Sequence, residues 1–96
     1  REYGEGKPDI VATSGNRGII LELKCLLPSV TRKLPLEQQF TKVPAMMNEL
    51  LDEAETQIKT RYYIEGLMFE EPTITEVKAY AVCFYKKRCM VREVSV

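Results

Sequence analysis

The sequence predicts an α/β or α+β domain in which one main helix packs on a mixed sheet of about four strands. Three observations lead there. Two β-prone runs flank a cluster of turn formers near the start. A central stretch spaces its apolar residues by three and four. The last segment reads as two further strands about a basic turn, and no internal repeat interrupts the series. Ninety-six residues suit one core rather than two, so residues 1–96 are read as a single domain. With 45% of residues hydrophobic and 29% charged, the chain can bury a core under a solvated surface.

The elements follow in order. Residues 2–7 are glycine-rich and charged and read as a loop. Residues 9–13 form a first strand, closed by the turn formers Ser14 to Gly18. The second strand, 18–25, places Ile20, Glu22 and Lys24 on one face and Ile19, Leu21, Leu23 and Cys25 on the other. Prolines at 28, 35 and 44 predict a loop over 26–43, with one helical turn near 36–40. This loop is unusually apolar and suits a partner surface. Thr41 is a candidate cap, and Pro44 suits the first turn of a helix running to about Tyr62 or beyond. Met47, Leu50, Leu51, Ala54, Ile58 and Tyr62 line its packed stripe, while Asn48, Asp52, Glu55 and Lys59 face water. Gly66 and Pro72 bracket the descent from it. Strands at 75–85 and 89–94 complete the fold, joined by Lys86-Lys87-Arg88.

Composition narrows the chemistry. Fourteen basic and fourteen acidic residues cancel, so the overall field announces no nucleic-acid binder, although local carboxylates at a metal site would mask local cations in that total. The absence of histidine removes Ser-His-Asp and Cys-His triads and histidine zinc sites. Catalysis therefore has carboxylates, lysine, tyrosine or cysteine to work with. Cys25, Cys83 and Cys89 are odd in number and lack CxxC spacing, which favours a reduced, intracellular setting and a role as small buried hydrophobes. No apolar run approaches the ~20 residues of a bilayer helix, and the start has no signal-peptide core, so no membrane partner is expected. A chain opening on Arg1 is expected to be a piece of a longer one.

The sharpest feature is Pro8-Asp9, a hairpin, and then Glu22-Leu23-Lys24. Antiparallel pairing can bring the two carboxylates together, and with the Leu23 carbonyl they make a hard-oxygen site suited to Mg²⁺ or Mn²⁺. Lys24 shares the face of Glu22 and can orient water, a recipe for phosphodiester hydrolysis without histidine. The plain structural reading is a same-face ion pair at a sheet margin with ordinary turn chemistry at the aspartate. Context favours the functional one: Glu22 and Lys24 sit in an otherwise apolar run, 19–27, where burying unpartnered charge costs several kcal/mol.

These residues resemble the signature of the PD-(D/E)XK nuclease superfamily. The wider text is similar to one branch, the nuclease-like domain at the C-terminus of bacterial AAA-ATPase-like proteins. The matching elements are Arg1-Glu2, the glycine-basic stretch 4–7, Leu21 to Lys24, Ala54 to Ile58 with Tyr62 and Tyr63, and Ala81 to Cys89. The resemblance implies a restriction-endonuclease-like core, metal ligation by Asp9 and Glu22, water activation by Lys24, a supporting polar role for Gln57 and an active-site position for Glu2. Gln57 also lies beside the packed stripe, within reach of the charged sheet face; its plain reading is a surface glutamine. Arg61, Tyr62, Tyr63 and the cations Lys86, Lys87 and Arg88 are candidate nucleic-acid contacts, with core or rim packing the plain reading for at least one tyrosine. The superfamily core begins with a helix that this chain starts too late to contain, so one sheet face is expected to be hidden by self-association or by the rest of a longer parent. The expected activity is metal-dependent cleavage of nucleic acid, DNA ahead of RNA. The rival is an inactive nuclease-like domain serving as a nucleic-acid-binding or protein-interaction module, and a plain structural domain is the third reading.

Overall fold

A computed structural model describes residues 7–95 and shows an α+β domain with a four-stranded mixed sheet. The elements are β1 (Ile10–Ser14), β2 (Arg17–Cys25), α1 (Pro28–Thr31), α2 (Leu36–Thr60), α3 (Tyr63–Glu70), β3 (Glu76–Tyr85) and β4 (Arg88–Val94). The sheet order is β1-β2-β3-β4, with β2 and β3 parallel and the outer pairs antiparallel. Parallel neighbours need a long crossover, which the three helices supply. Both hairpins turn on two residues whose first has a left-handed backbone. Gly15 (φ 61°) adopts this without a steric penalty, whereas Lys86 (φ 53°) does so against one.

The main helix starts earlier than its prolines suggest. Pro35 ends the extended approach and α2 begins at Leu36, so Pro44 lies inside the helix and Thr41 bonds back to the Gln38 carbonyl (3.2 Å) instead of capping. Tertiary burial decides the matter, because Val43, Met47, Leu51, Ala54 and Ile58 form one buried stripe that continues through the proline. Pro44 itself faces solvent, where its ring displaces nothing packed. An interior proline forfeits one helical hydrogen bond and costs about 3 kcal/mol relative to alanine, part of which it recovers by restricting the unfolded chain. Pro44→Ala is therefore expected to stabilise the fold by about 1–2 kcal/mol in urea denaturation; an unchanged or lower midpoint would show that the seating of Val43 and Met47 depends on the ring.

Four other expectations are corrected. The predicted stripe ended on Tyr62, but Tyr62 takes a left-handed conformation (φ 55°) and is 58% exposed. That single residue breaks the helix, resets the phase and puts Tyr63 in the core at 1% exposure. Gly66, placed by the sequence in the descent, belongs to α3. Asn48, Asp52 and Glu55 do not simply face water: Arg92 of β4 donates to Asp52, to Glu55 (3.2 Å) and to Asn48 (3.3 Å), tying the helix to the far side of the sheet. α1 also occupies part of the stretch read as loop, where Thr31 is buried and its hydroxyl meets that of Tyr85 at 2.8 Å.

The helices cover only one sheet face. Ile20, Glu22, Ala79, Ala81, Cys83 and Tyr85 lie beneath them, and Gly18 marks where α3 closes in: a Cβ there would stand 2.8 Å from Leu67 Cδ2. The opposite face carries the wholly apolar side of β2 and stays open, with Ile19, Phe84 and Val91 at 45%, 41% and 60% exposure. All three thiols are free. Cys83 alone is a small buried hydrophobe, while Cys25 and Cys89 are exposed because they fall on the open side. No helix among the described residues is long and apolar enough to cross a membrane.

Candidate metal centre

Asp9 sits one residue before β1, beside Glu22 in the middle of β2. Antiparallel register explains the meeting, since Ile10 pairs with Leu21 and the preceding residue must fall against Glu22. Two hydrogen bonds hold the pair. The Asp9 main-chain N–H donates to Glu22 Oε1 (3.2 Å), and the Leu23 N–H donates to Asp9 Oδ2 (2.8 Å). Each carboxylate thus spends one oxygen on the main chain of the other's strand. The result is a rigid mount for two negative groups on the helix-covered face.

Electrostatics there are unfavourable for the chain alone. Glu22 is only 5% exposed, and burial, followed by the neighbouring Asp9 carboxylate, pushes its pKa above the ordinary value. Lys24, two residues along the same face, offsets part of this. Lys24 is half-buried and forms no salt bridge among the described residues, so its ammonium is not committed to a structural pair. Two like charges held together in a partly desolvated place favour a cation between them.

A groove of about 390 Å³ opens beside Lys24 and is lined by Asp52, Glu53, Thr56 and Gln57. Gln57 Oε1 is buried and accepts no hydrogen bond among the described residues. An orphaned acceptor of this kind is unfavourable by roughly 1–3 kcal/mol unless something donates to it, which makes it a receptor for water or substrate. Position on the stripe accounts for its aim: Gln57 directly precedes Ile58, which packs in the core.

The structure therefore brings together Asp9, Glu22 and Lys24, with Gln57 on the groove beside Lys24. Arg61 and Tyr63 lie in the same neighbourhood as the carboxylates. Burial and then the Glu22 carboxylate push the Tyr63 pKa up, and Arg61 opposes them. The sequence offers Tyr62 and Tyr63 alike as stacking surfaces, with packing expected of at least one; Tyr62 is exposed to solvent and Tyr63 is the packed one. The adjacent tyrosines differ only in helical phase, and no residue signals that the phase resets between them. Lys86, Lys87 and Arg88 are elsewhere, at the β3–β4 turn against the start of α2. Glu2 lies outside the described residues.

Could these donors hold a divalent cation? No group of three or more Asp, Glu, Cys or His side chains gathers among the described residues. Magnesium does not require one, since it is commonly held by one or two carboxylates with water and substrate phosphate completing its shell. Two convergent carboxylates, a nearby Leu23 carbonyl and an all-oxygen character fit Mg²⁺ or Mn²⁺ and exclude a soft-metal site. No family model matches the chain, and neither a curated protein nor a solved structure matches it.

Proposed function

We propose that the domain is a metal-dependent nuclease of PD-(D/E)XK type that hydrolyses phosphodiester bonds, with DNA as substrate. The observation that supports this reading most is the paired mount of Asp9 and Glu22 beside Lys24, which forms no salt bridge among the described residues, built in a chain that has no histidine. Asp9, Glu22 and the Leu23 carbonyl would hold Mg²⁺ or Mn²⁺. The ion, when bound, supplies a Lewis acid for the phosphoryl oxygen and acidifies water.

The chain's own groups do the rest. Lys24 orients the attacking water and offsets charge on the phosphoryl group as the water oxygen bonds to phosphorus and the ester oxygen departs. Gln57 Oε1 accepts a hydrogen bond from that water or from substrate, holding one orientation of several. Tyr63, with Arg61, walls the site behind Glu22 and limits solvent there. Arg61 and the exposed Tyr62 stand where a strand leaving the site would meet a cation and an aromatic face. The open apolar sheet face is where self-association, or contact with a longer parent, would take place.

Incubation of plasmid and of single-stranded DNA with Mg²⁺ or Mn²⁺ is expected to give cleavage that EDTA abolishes. Ca²⁺ is expected to bind yet support little turnover, because its looser coordination positions water poorly. If DNA and RNA both stay intact under every divalent ion, including when the domain is tested within a longer parent, the carboxylate pair is a structural clasp. The domain is then a binding module.

A further inference from the structure

The cations of the β3–β4 turn sit on a groove of their own. Leu36, Phe40 and Tyr85 wall a cavity of about 450 Å³, and Lys86, Lys87 and Arg88 rim it. Leu36 and Phe40 are 70% and 69% exposed, an unusual placement for two large apolar side chains on a helix whose other face is buried. The three consecutive cations form no salt bridge among the described residues. Lys86 is held over the Tyr85 ring, 5.4 Å from its centre, so positive charge stands at the apolar wall itself.

We infer that this groove binds single-stranded DNA, with a base stacked on Phe40 and the adjoining phosphates on Lys86, Lys87 and Arg88. The chemistry selects that occupant. An apolar wall with an exposed aromatic and unpaired cations at its rim are the two components of a single-strand platform. The uncharged polar groups of the wall are at least partly engaged: the Gln39 amide N–H donates to the Leu34 carbonyl (3.0 Å), and the Tyr85 hydroxyl is bonded to Thr31 (2.8 Å). A peptide buried here would leave its own amides unsatisfied. A base buries only its faces and keeps its edges in water. A duplex hides those faces in its stack, so it could offer only phosphates. With the cations taken up by phosphates and little edge reading left, binding should depend only weakly on base identity.

The groove also lies within reach of the carboxylates. Tyr85 is four positions along β3 from Ala81, the partner of Glu22 in the parallel register, or about 13 Å. A strand seated on Phe40 is thus directed toward the site that would cut it. This last step rests on the nuclease reading; the binding itself does not.

The test is fluorescence anisotropy of a labelled oligo(dT) of about twelve nucleotides, with EDTA present so that no cleavage intervenes. Saturable binding is expected, with oligo(dA) within a few-fold and a duplex of equal length much weaker. Phe40→Ala should weaken binding about tenfold, and Phe40→Tyr should retain it. Lys87→Ala should lower the slope of log affinity against log salt by about 0.7, a change that mere loss of packing does not produce. Circular dichroism of each variant reports folding, which the exposure of these side chains leaves undisturbed. The inference is overturned if oligo(dT) does not bind, if Phe40→Ala binds like the wild type, or if duplex binds as tightly. Preference for oligo(rU), or displacement by an acidic Glu-Tyr copolymer, likewise overturns it in favour of RNA or an acidic protein. Binding without any metal-dependent cleavage sinks the nuclease reading alone, and cleavage indifferent to Phe40 overturns only the step in which the groove directs a strand to the carboxylates.

Discussion

Asp9→Asn is expected to reduce metal-dependent cleavage by about 10²–10³-fold or more while leaving the β1–β2 hairpin intact. The amide is the informative choice. Asp9 Oδ2 accepts the Leu23 N–H at 2.8 Å, and the carbonyl oxygen of asparagine can keep that bond. What disappears is one of the two charges that hold the cation. Alanine would remove the charge and the acceptor together, adding about 0.5–1.5 kcal/mol of lost hydrogen bonding that confuses the result. Lys24→Met tests the other half of the mechanism and should lower kcat by about 10²–10³-fold, because the ammonium acts on the transition state rather than on folding. Kinetics with circular dichroism on the same samples check both. Full activity in either variant removes that side chain from the mechanism.

Glu22→Gln should abolish cleavage and, in the absence of metal, make the protein more stable. Glu22 is buried, and burial with the Asp9 carboxylate raises its folded pKa above 4.5. An acid whose folded pKa is raised destabilises the fold wherever it is ionised in both states. Its penalty is fully present above the folded pKa and falls away as pH drops toward 4.5. Wild type should therefore gain stability on mild acidification from neutral pH, and Glu22→Gln should lose that dependence while keeping the Asp9 N–H bond at its carbonyl oxygen. Glu55 acts in a separate window. Lys59 and then Arg92 lower its pKa, so its stabilising contribution is lost only as pH falls below 4.5 toward that lowered value. Urea titrations across this range, with and without Mg²⁺, check the pair of signs. Mg²⁺ should stabilise wild type and leave the glutamine variant unmoved. A glutamine variant less stable than wild type at neutral pH would mean that the buried carboxylate is internally compensated.

Much of this was legible in the residues. The turn formers between residues 14 and 18 and the alternation of β2 define a hairpin, and a hairpin's register carries Asp9 to Glu22 without tertiary information. The number of strands, the main helix and the basic turn follow from the same local periods. The start of α2 was not legible. Three prolines argue locally against a helix over 26–43, yet burial of Val43 and Met47 outweighs the lost hydrogen bond at Pro44.

The sequence by itself determined which side chains share a face, because a period of two or of 3.6 is a local property of the backbone. Only the tertiary structure decided which face is covered. Judged by side chains alone, the wholly apolar side of β2 is the better candidate for a core, yet α2 lies on the side of Ile20 and Glu22 and leaves Ile19 and Leu21 to the open side. Long-range packing also chose between Tyr62 and Tyr63, through one left-handed residue, and it separated the turn cations from the carboxylates by placing them against the start of α2. Such choices depend on where distant elements meet, which no local period encodes.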